Sequence, residues 1–89
     1  MSNIILEKIK SGARIIDVRT VDEYMDGAYP GAVNIPVSDL AARLSEIPKH
    51  ASVVLYCASG GRSAMAARLM KQAGYADVVN AGGLDDMPM

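Results

Sequence analysis

The residue with the strongest chemical potential is Cys57, the sole cysteine among 89 residues. Taken alone, a cysteine ending an apolar run is more often a small buried hydrophobe than a nucleophile. Its continuation, Cys57-Ala58-Ser59-Gly60-Gly61-Arg62-Ser63, leads straight into a helical pattern and favours the nucleophile. A strand, a tight loop and a helix N-terminus aim several backbone N–H groups at one point. Gly60 and Gly61 permit the positive φ angles that such a curled loop requires. The amides and the positive end of the helix form an anion cradle, which should hold a thiolate below the usual ~8.5. Arg62 adds a charge and a fork able to take an oxyanion bidentately. The expected site is therefore Cys57 as nucleophile, with Ala58, Ser59, Gly60, Gly61, Arg62 and Ser63 binding substrate. As plain structure, the same residues would be a strand-to-helix turn and a solvated arginine.

Other chemistries are excluded by what accompanies Cys57. A single cysteine cannot close an internal disulfide, and with His50 as the sole histidine no zinc set assembles. A Cys–His dyad fails on geometry. His50 precedes the strand that Cys57 ends, and seven residues at ~3.3 Å each put them roughly 20 Å apart. Activation has to come from the loop amides, the helix dipole and Arg62.

The elements that must position this loop alternate between helix and strand. Asn3 caps a helix through Lys10, with Ile5, Leu6 and Ile9 on one face and Gly12 beyond its end. Arg14 to Val18 reads as a buried strand. Thr20-Val21-Asp22-Glu23 matches a capping box, and Gly27 stops that short helix. Tyr29-Pro30-Gly31 is a turn, and Val33 to Ile35 a strand ended by Pro36. Ser38 opens a helix through Ile47, where Pro48 forbids continuation. Ser52 to Cys57 is a strand, Arg62 to Ala73 a helix with Gly74 after it, and Asp77 to Val79 a last strand. Strands separated by helices, with no hairpin signal, imply parallel pairing. The expected architecture is α/β: three layers in one domain over residues 1–89, with about four parallel strands flanked by helices. Ligands in such folds sit beyond the carboxyl ends of the strands, where Cys57 lies.

Composition narrows the function classes. Hydrophobic residues make up 51%, and nine basic against ten acidic residues leave a net charge of -1. That excludes the disordered class. No basic cluster stands out and Trp and Phe are absent, so a nucleic-acid partner is not expected. No apolar run approaches the ~20 residues of a membrane span. Met1 to Ile9 shows no signal peptide, which places the chain as written in the cytoplasm. A leader preceding Met1 would make it periplasmic.

Four segments together resemble a known family. They are Ile16-Asp17-Val18-Arg19, the run Gly27-Ala28-Tyr29-Pro30-Gly31-Ala32-Val33-Asn34-Ile35-Pro36, the Cys57–Ser63 loop, and Asn80-Ala81-Gly82-Gly83-Leu84. In this order the sequence is similar to single-domain rhodaneses, the thiosulfate sulfurtransferase family, over nearly its whole length. The short form and the last segment resemble in particular the small phage-shock rhodaneses of enteric bacteria. The resemblance implies the rhodanese-like fold and transfer of sulfane sulfur through a Cys57 persulfide. It implies a small donor, thiosulfate or a persulfide, and a thiol or protein acceptor, with cyanide as the assay acceptor. Neither metal nor organic cofactor is implied, and a monomer is expected. Four residues separate Cys57 from Arg62. The related phosphatases have one more, which makes phosphatase a distant third reading. The second reading is a persulfide carrier or a cysteine-based sensor acting through a protein partner.

Two positions depart from the family pattern. Many relatives carry His where Ala28 stands, and many carry Trp after the Gly-Gly pair, where this chain has Leu84 to Met87. Both should affect substrate preference more than activity. Asp17 and Arg19, at the end of their strand, either support the loop and its mouth or form an ion pair fixing the next helix. Asn34 is expected to make a structural hydrogen bond to a neighbouring connection. Met65, Leu69, Met70 and Ala73 are expected in the core. Asp85-Asp86 is expected as solvated tail, and Tyr24, Tyr29, Tyr56 and Tyr75 as packing residues with a polar tip.

Overall fold

A computed structural model describes residues 3–88; the termini of the expected 1–89 domain, Met1, Ser2 and Met89, lie outside them. Helix α1 (Ile4–Lys10) starts as the sequence predicts, with the Leu6 N–H donating to Asn3 Oδ1 at 3.0 Å. Strand β1 (Arg14–Asp17) leads to α2 (Val21–Met25), β2 (Val33–Asn34), α3 (Val37–Arg43), β3 (Val53–Cys57), α4 (Gly61–Gln72) and β4 (Val78–Gly83). The strands form one four-stranded sheet in the order β2-β1-β3-β4, every pair parallel.

Alternate residues of β3 explain the three layers, because successive side chains point to opposite faces. Val53, Leu55 and Cys57 pack with Leu40 of α3 and Ala66 and Met70 of α4. Val54 and Tyr56 face Ile5 and Ile9 of α1 and Tyr24 of α2. All five β3 residues are buried, as a central parallel strand covered on both faces must be.

The strand order also fixes where a site can be. From β1 the chain crosses to β2 on one side, whereas from β3 it crosses to β4 on the other. The carboxyl ends of β1 and β3 therefore flank the switch point, where a crevice opens between diverging connections. Asp17 and Tyr56 are register partners there, one residue before Cys57.

Several elements differ from the sequence reading. The third helix begins at Val37 with Pro36 in the capping position, and no side chain caps it. It gives way at Leu44–Glu46 to a 3-10 turn. The buried Tyr75 hydroxyl lies within hydrogen-bond distance of the carbonyls of Leu44 and Ile47, which share its single proton. Strand β4 runs on to Gly83 rather than stopping at Val79. Between the pairs Leu55–Asn80 and Cys57–Gly83 it carries one extra residue, a bulge of the kind that re-aims side chains beside sites. Met65, expected in the core, is 60% exposed, while Met70 is buried and Leu69 and Ala73 pack partly against the core. A second 3-10 turn follows at Leu84–Asp86, so these residues are not simply tail. Asp86 Oδ2 accepts the Gly83 N–H at 2.8 Å, while Asp85 and Asp86 are both exposed, as expected.

Candidate active site

Cys57 ends β3 with its side chain fully buried on the α4 side of the sheet. Gly60 sits at φ 104 and caps α4. That left-handed angle, disfavoured for side-chain-bearing residues, turns the loop back over the sulfur. The Gly60 N–H donates to Cys57 Sγ at 2.9 Å and the Ser63 N–H at 3.4 Å. Gly61 is helical, with open space where a Cβ would stand. Only Gly60 of the pair is required by the turn, which corrects the expectation for both glycines. The loop is clamped from β4 as well, since a Cβ at Gly83 would overlap the carbonyl oxygen of Ala58.

The sulfur's ionisation is set by opposing effects. Burial pushes the Cys57 thiol up, but the Ser63 hydroxyl and the N–H groups of Ser63, Gly60 and Ser59 together bring it down from 9.0 to about 7. Hydrogen bonds to the charged form favour that form. Ser63 is the most connected of these residues. Its Oγ lies 3.3 Å from Cys57 Sγ, 2.6 Å from Asn80 Oδ1, 3.2 Å from Gly60 O and 3.3 Å from Gly82 O. A hydroxyl has one proton, so these acceptors compete for it. The Gly82 N–H donates to Asn80 Oδ1 at 2.9 Å, which fixes the amide with its oxygen towards Ser63.

Arg62 departs from its expected role. Its guanidinium forks onto the Glu23 carboxylate of α2, at 2.6 Å and 3.0 Å, rather than standing free for an oxyanion. The pairing raises the pKa of Arg62, through the hydrogen bonds to Glu23 first. Glu23 is lowered to about 2, by Arg62 first and then by the Thr20 N–H. The same Glu23 closes the predicted capping box with Thr20.

Asp17 and Arg19 resolve in favour of the buried ion pair. Arg19 Nη2 lies 2.7 Å from Asp17 Oδ2, with side-chain exposures of 8% and 0%, so neither lines an open mouth. The Asp17 carboxylate also accepts from the Arg19 N–H and Nε and from the Tyr56 hydroxyl. Arg19 Nη2 reaches the Gly27 carbonyl at 2.8 Å, tying the end of α2 to the sheet. Asn34 Nδ2 donates to the carbonyls of Asp17 and Arg19, the structural role expected of it. The four tyrosine hydroxyls all have partners; that of Tyr56 also accepts the Tyr29 N–H.

The structure thus brings Cys57, Ser59, Gly60 and Ser63 together. It leaves Ala58 as a loop spacer, exposed and packed through its carbonyl, and His50 exposed in the turn before β3. Glu23 and Asn80 join the site without having been singled out for it. The sequence signals were a capping box, which explains only half of Glu23, and the Asn80–Leu84 segment, which named no role. Ala28 and Leu84, the two departures from the family pattern, meet at one apolar cavity of about 620 Å³ with Tyr29, Pro30 and Met87. Among the described residues no cluster of three or more metal-ligating side chains occurs, and no helix is long and apolar enough to cross a membrane.

Comparison with known proteins agrees with this geometry. The chain is 42% identical over 69 residues to a sulfurtransferase of Allochromatium vinosum, covering 78% of this chain and 64% of that one. It is 41% identical over 66 residues to YrkF of Bacillus subtilis, whose name proposes a sulfur-carrier role, covering 74% and 36%. To the thiosulfate sulfurtransferase PspE of Escherichia coli it is 38% identical over 76 residues, covering 83% and 73%. The chain thus spans less than two thirds of the first two relatives' length. A solved rhodanese of E. coli with anions superposes with a TM-score of 0.80 at 36% identity, covering 86% of this chain and 95% of that one. The family profile described as Rhodanese-like domain matches residues 3–87, and the chain belongs to that family.

Proposed function

We propose that the protein transfers sulfane sulfur through a persulfide on Cys57. The observation that carries this reading is the set of contacts to Cys57 Sγ from the Gly60 and Ser63 N–H groups and the Ser63 hydroxyl, which bring the thiol down to about 7. At neutral pH a substantial fraction is already thiolate, the form that attacks sulfur. In the first step Cys57 Sγ forms a bond to the donor's sulfane sulfur, and the donor's S–S bond breaks. The leaving group departs with the electron pair; from thiosulfate it is sulfite. In the second step a thiophilic acceptor attacks the outer sulfur, and the S–S bond of the persulfide breaks to return the Cys57 thiolate. Both leaving groups are anions, so preformed donors at the sulfur are the help the reaction needs.

The thiol is fully enclosed in the resting structure. Loading therefore requires outward movement of a neighbouring segment, and Ala58 and Ser59, both exposed, are the side of the loop open to solvent. PspE supports thiosulfate as donor. The kinship with YrkF supports a second reading, in which the persulfide is delivered to a protein partner. Thiocyanate production from thiosulfate and cyanide, with Cys57→Ser beside wild type, tests the first. Turnover that disappears in the variant is expected; turnover surviving in it would overturn the reading. A wild type that loads sulfur but turns over poorly would favour delivery to a partner.

A further inference from the structure

The transfer steps above make no use of Glu23. We infer that Glu23 is a charge-selecting residue: its carboxylate occupies the Arg62 guanidinium and biases Cys57 against reactants carrying negative charge. The natural substrates to which this applies rest on the sulfur-transfer reading; the selection itself does not.

The argument begins with the placement of the pair. Glu23 lies on α2, which follows β1, and Arg62 on α4, which follows β3. Their fork therefore links the elements on the two sides of the switch point. Arg62 directly precedes Ser63, whose N–H and hydroxyl both contact Cys57 Sγ. Both carboxylate oxygens are engaged, one per guanidinium nitrogen. Bidentate pairing is the geometry an incoming oxyanion would itself require.

Glu23 is also held in place from behind. The Thr20 N–H donates to its Oε1 at 3.0 Å and the Thr20 hydroxyl at 3.1 Å. An anionic reactant must therefore compete with a carboxylate fixed by its own helix cap. Nor does the neighbouring arginine offer a free charge. Arg19 is buried against Asp17 and Gly27. Once Cys57 ionises, the two guanidiniums face two carboxylates and one thiolate, a net charge of -1 at the site. A dianion such as thiosulfate meets that field with its cationic partner already engaged. The pair is about one-third exposed, with side-chain values of 36% and 34%, so competition from solution is open to it.

Glu23→Gln isolates the charge. A glutamine keeps the length and an oxygen acceptor, and it is compatible with the capping box. The measurement is the rate constant for alkylation of Cys57 by uncharged iodoacetamide and by anionic iodoacetate, each referred to the thiolate through its pH profile. At low salt the iodoacetate-to-iodoacetamide ratio should rise ~3–5-fold in the variant, the scale of one partly exposed charge interaction. The gain should vanish near ~1 M salt. The KM for thiosulfate should fall alongside. A ratio equal in the two proteins overturns the selector, as does a parallel rise in both rates, which would make Glu23 a strut at the mouth. Alkylation needs no sulfur chemistry, so the two readings fail separately. A raised ratio with no sulfur transfer in either protein would overturn the transfer reading and support the selector.

Discussion

Replacing Ser63 with alanine removes the hydroxyl beside Cys57 while leaving the Ser63 N–H in place. The consequence can be worked from the proton count. A hydrogen bond to a charged group contributes ~1.5–3 kcal/mol, and one pKa unit corresponds to ~1.4 kcal/mol, which bounds the effect at about one to two units. The hydroxyl's single proton is contested, since Asn80 Oδ1 at 2.6 Å lies closer than Cys57 Sγ at 3.3 Å. The low end of that range applies, so Ser63→Ala should raise the Cys57 pKa from about 7 by ~1 unit. At pH 7 the thiolate fraction would fall from about one half to roughly one tenth, and alkylation by iodoacetamide would slow ~5-fold. The sign is fixed: a raised pKa shifts the rate profile towards alkaline pH, with the plateau rate little changed. Stopped-time alkylation from pH 5 to 10, followed by intact mass, reads the midpoint directly. In the variant Asn80 Oδ1 keeps the Gly82 N–H and the Gly60 carbonyl keeps the Ala64 N–H. A midpoint within ~0.3 units of wild type would refute the assignment of the hydroxyl as a thiolate donor.

Other substitutions test the supports of the site. Asp17→Asn strands the buried Arg19 charge and should cost ~3–5 kcal/mol, lowering Tm by more than ~10 °C; a shift below ~3 °C would contradict the buried pair's role. Gly60→Ala forces a side chain to φ 104 and should cost ~1–2 kcal/mol in urea unfolding. Gly61→Ala, helical and facing open space, should be neutral or stabilise by up to ~1 kcal/mol. Equal effects of the two glycine substitutions would overturn the account of the turn. Stability should fall as pH drops from the ordinary Glu range, near 4.5, through about 2, because folding depresses the Glu23 carboxyl and protonation then opposes the folded state. In Glu23→Gln that component of the acid transition should be missing.

The position of Cys57 and the shape of its loop were legible because they depend largely on local order. A β-branched strand ending at Cys57, then Gly60 and a helix start, set the local path of the loop and aim its N–H groups at the sulfur. The capping box at Thr20 and Glu23 and the cap at Asn3 were legible for the same reason. Contacts across the fold were not. Glu23 reaches Arg62 across 39 positions of chain, and a capping box already accounts for a Glu there. The end of β4 was hidden by its glycines, which suggest a turn; here they permit the close approach to Ala58 that keeps the loop down. Asn80 acquires its role by reaching from β4 to Ser63 of α4, a contact between elements. The third helix ends at Arg43, and the Tyr75 hydroxyl, from another element, meets the carbonyls of Leu44 and Ile47 that follow it. Met65 shares the helical spacing of its neighbours, yet nothing covers its side of α4. Arg62 stands at the start of α4 as expected, but its pairing with Glu23 is a contact between elements that no local pattern announces.

The central claim is tested most directly by mass. Incubation with thiosulfate, removal of excess donor and analysis of the intact protein should show a gain of one sulfur atom. Peptide mapping should place it on Cys57, cyanide should remove it with release of thiocyanate, and Cys57→Ser should show none of it. A folded wild type that gains no sulfur from thiosulfate or from a persulfide donor would contradict the claim.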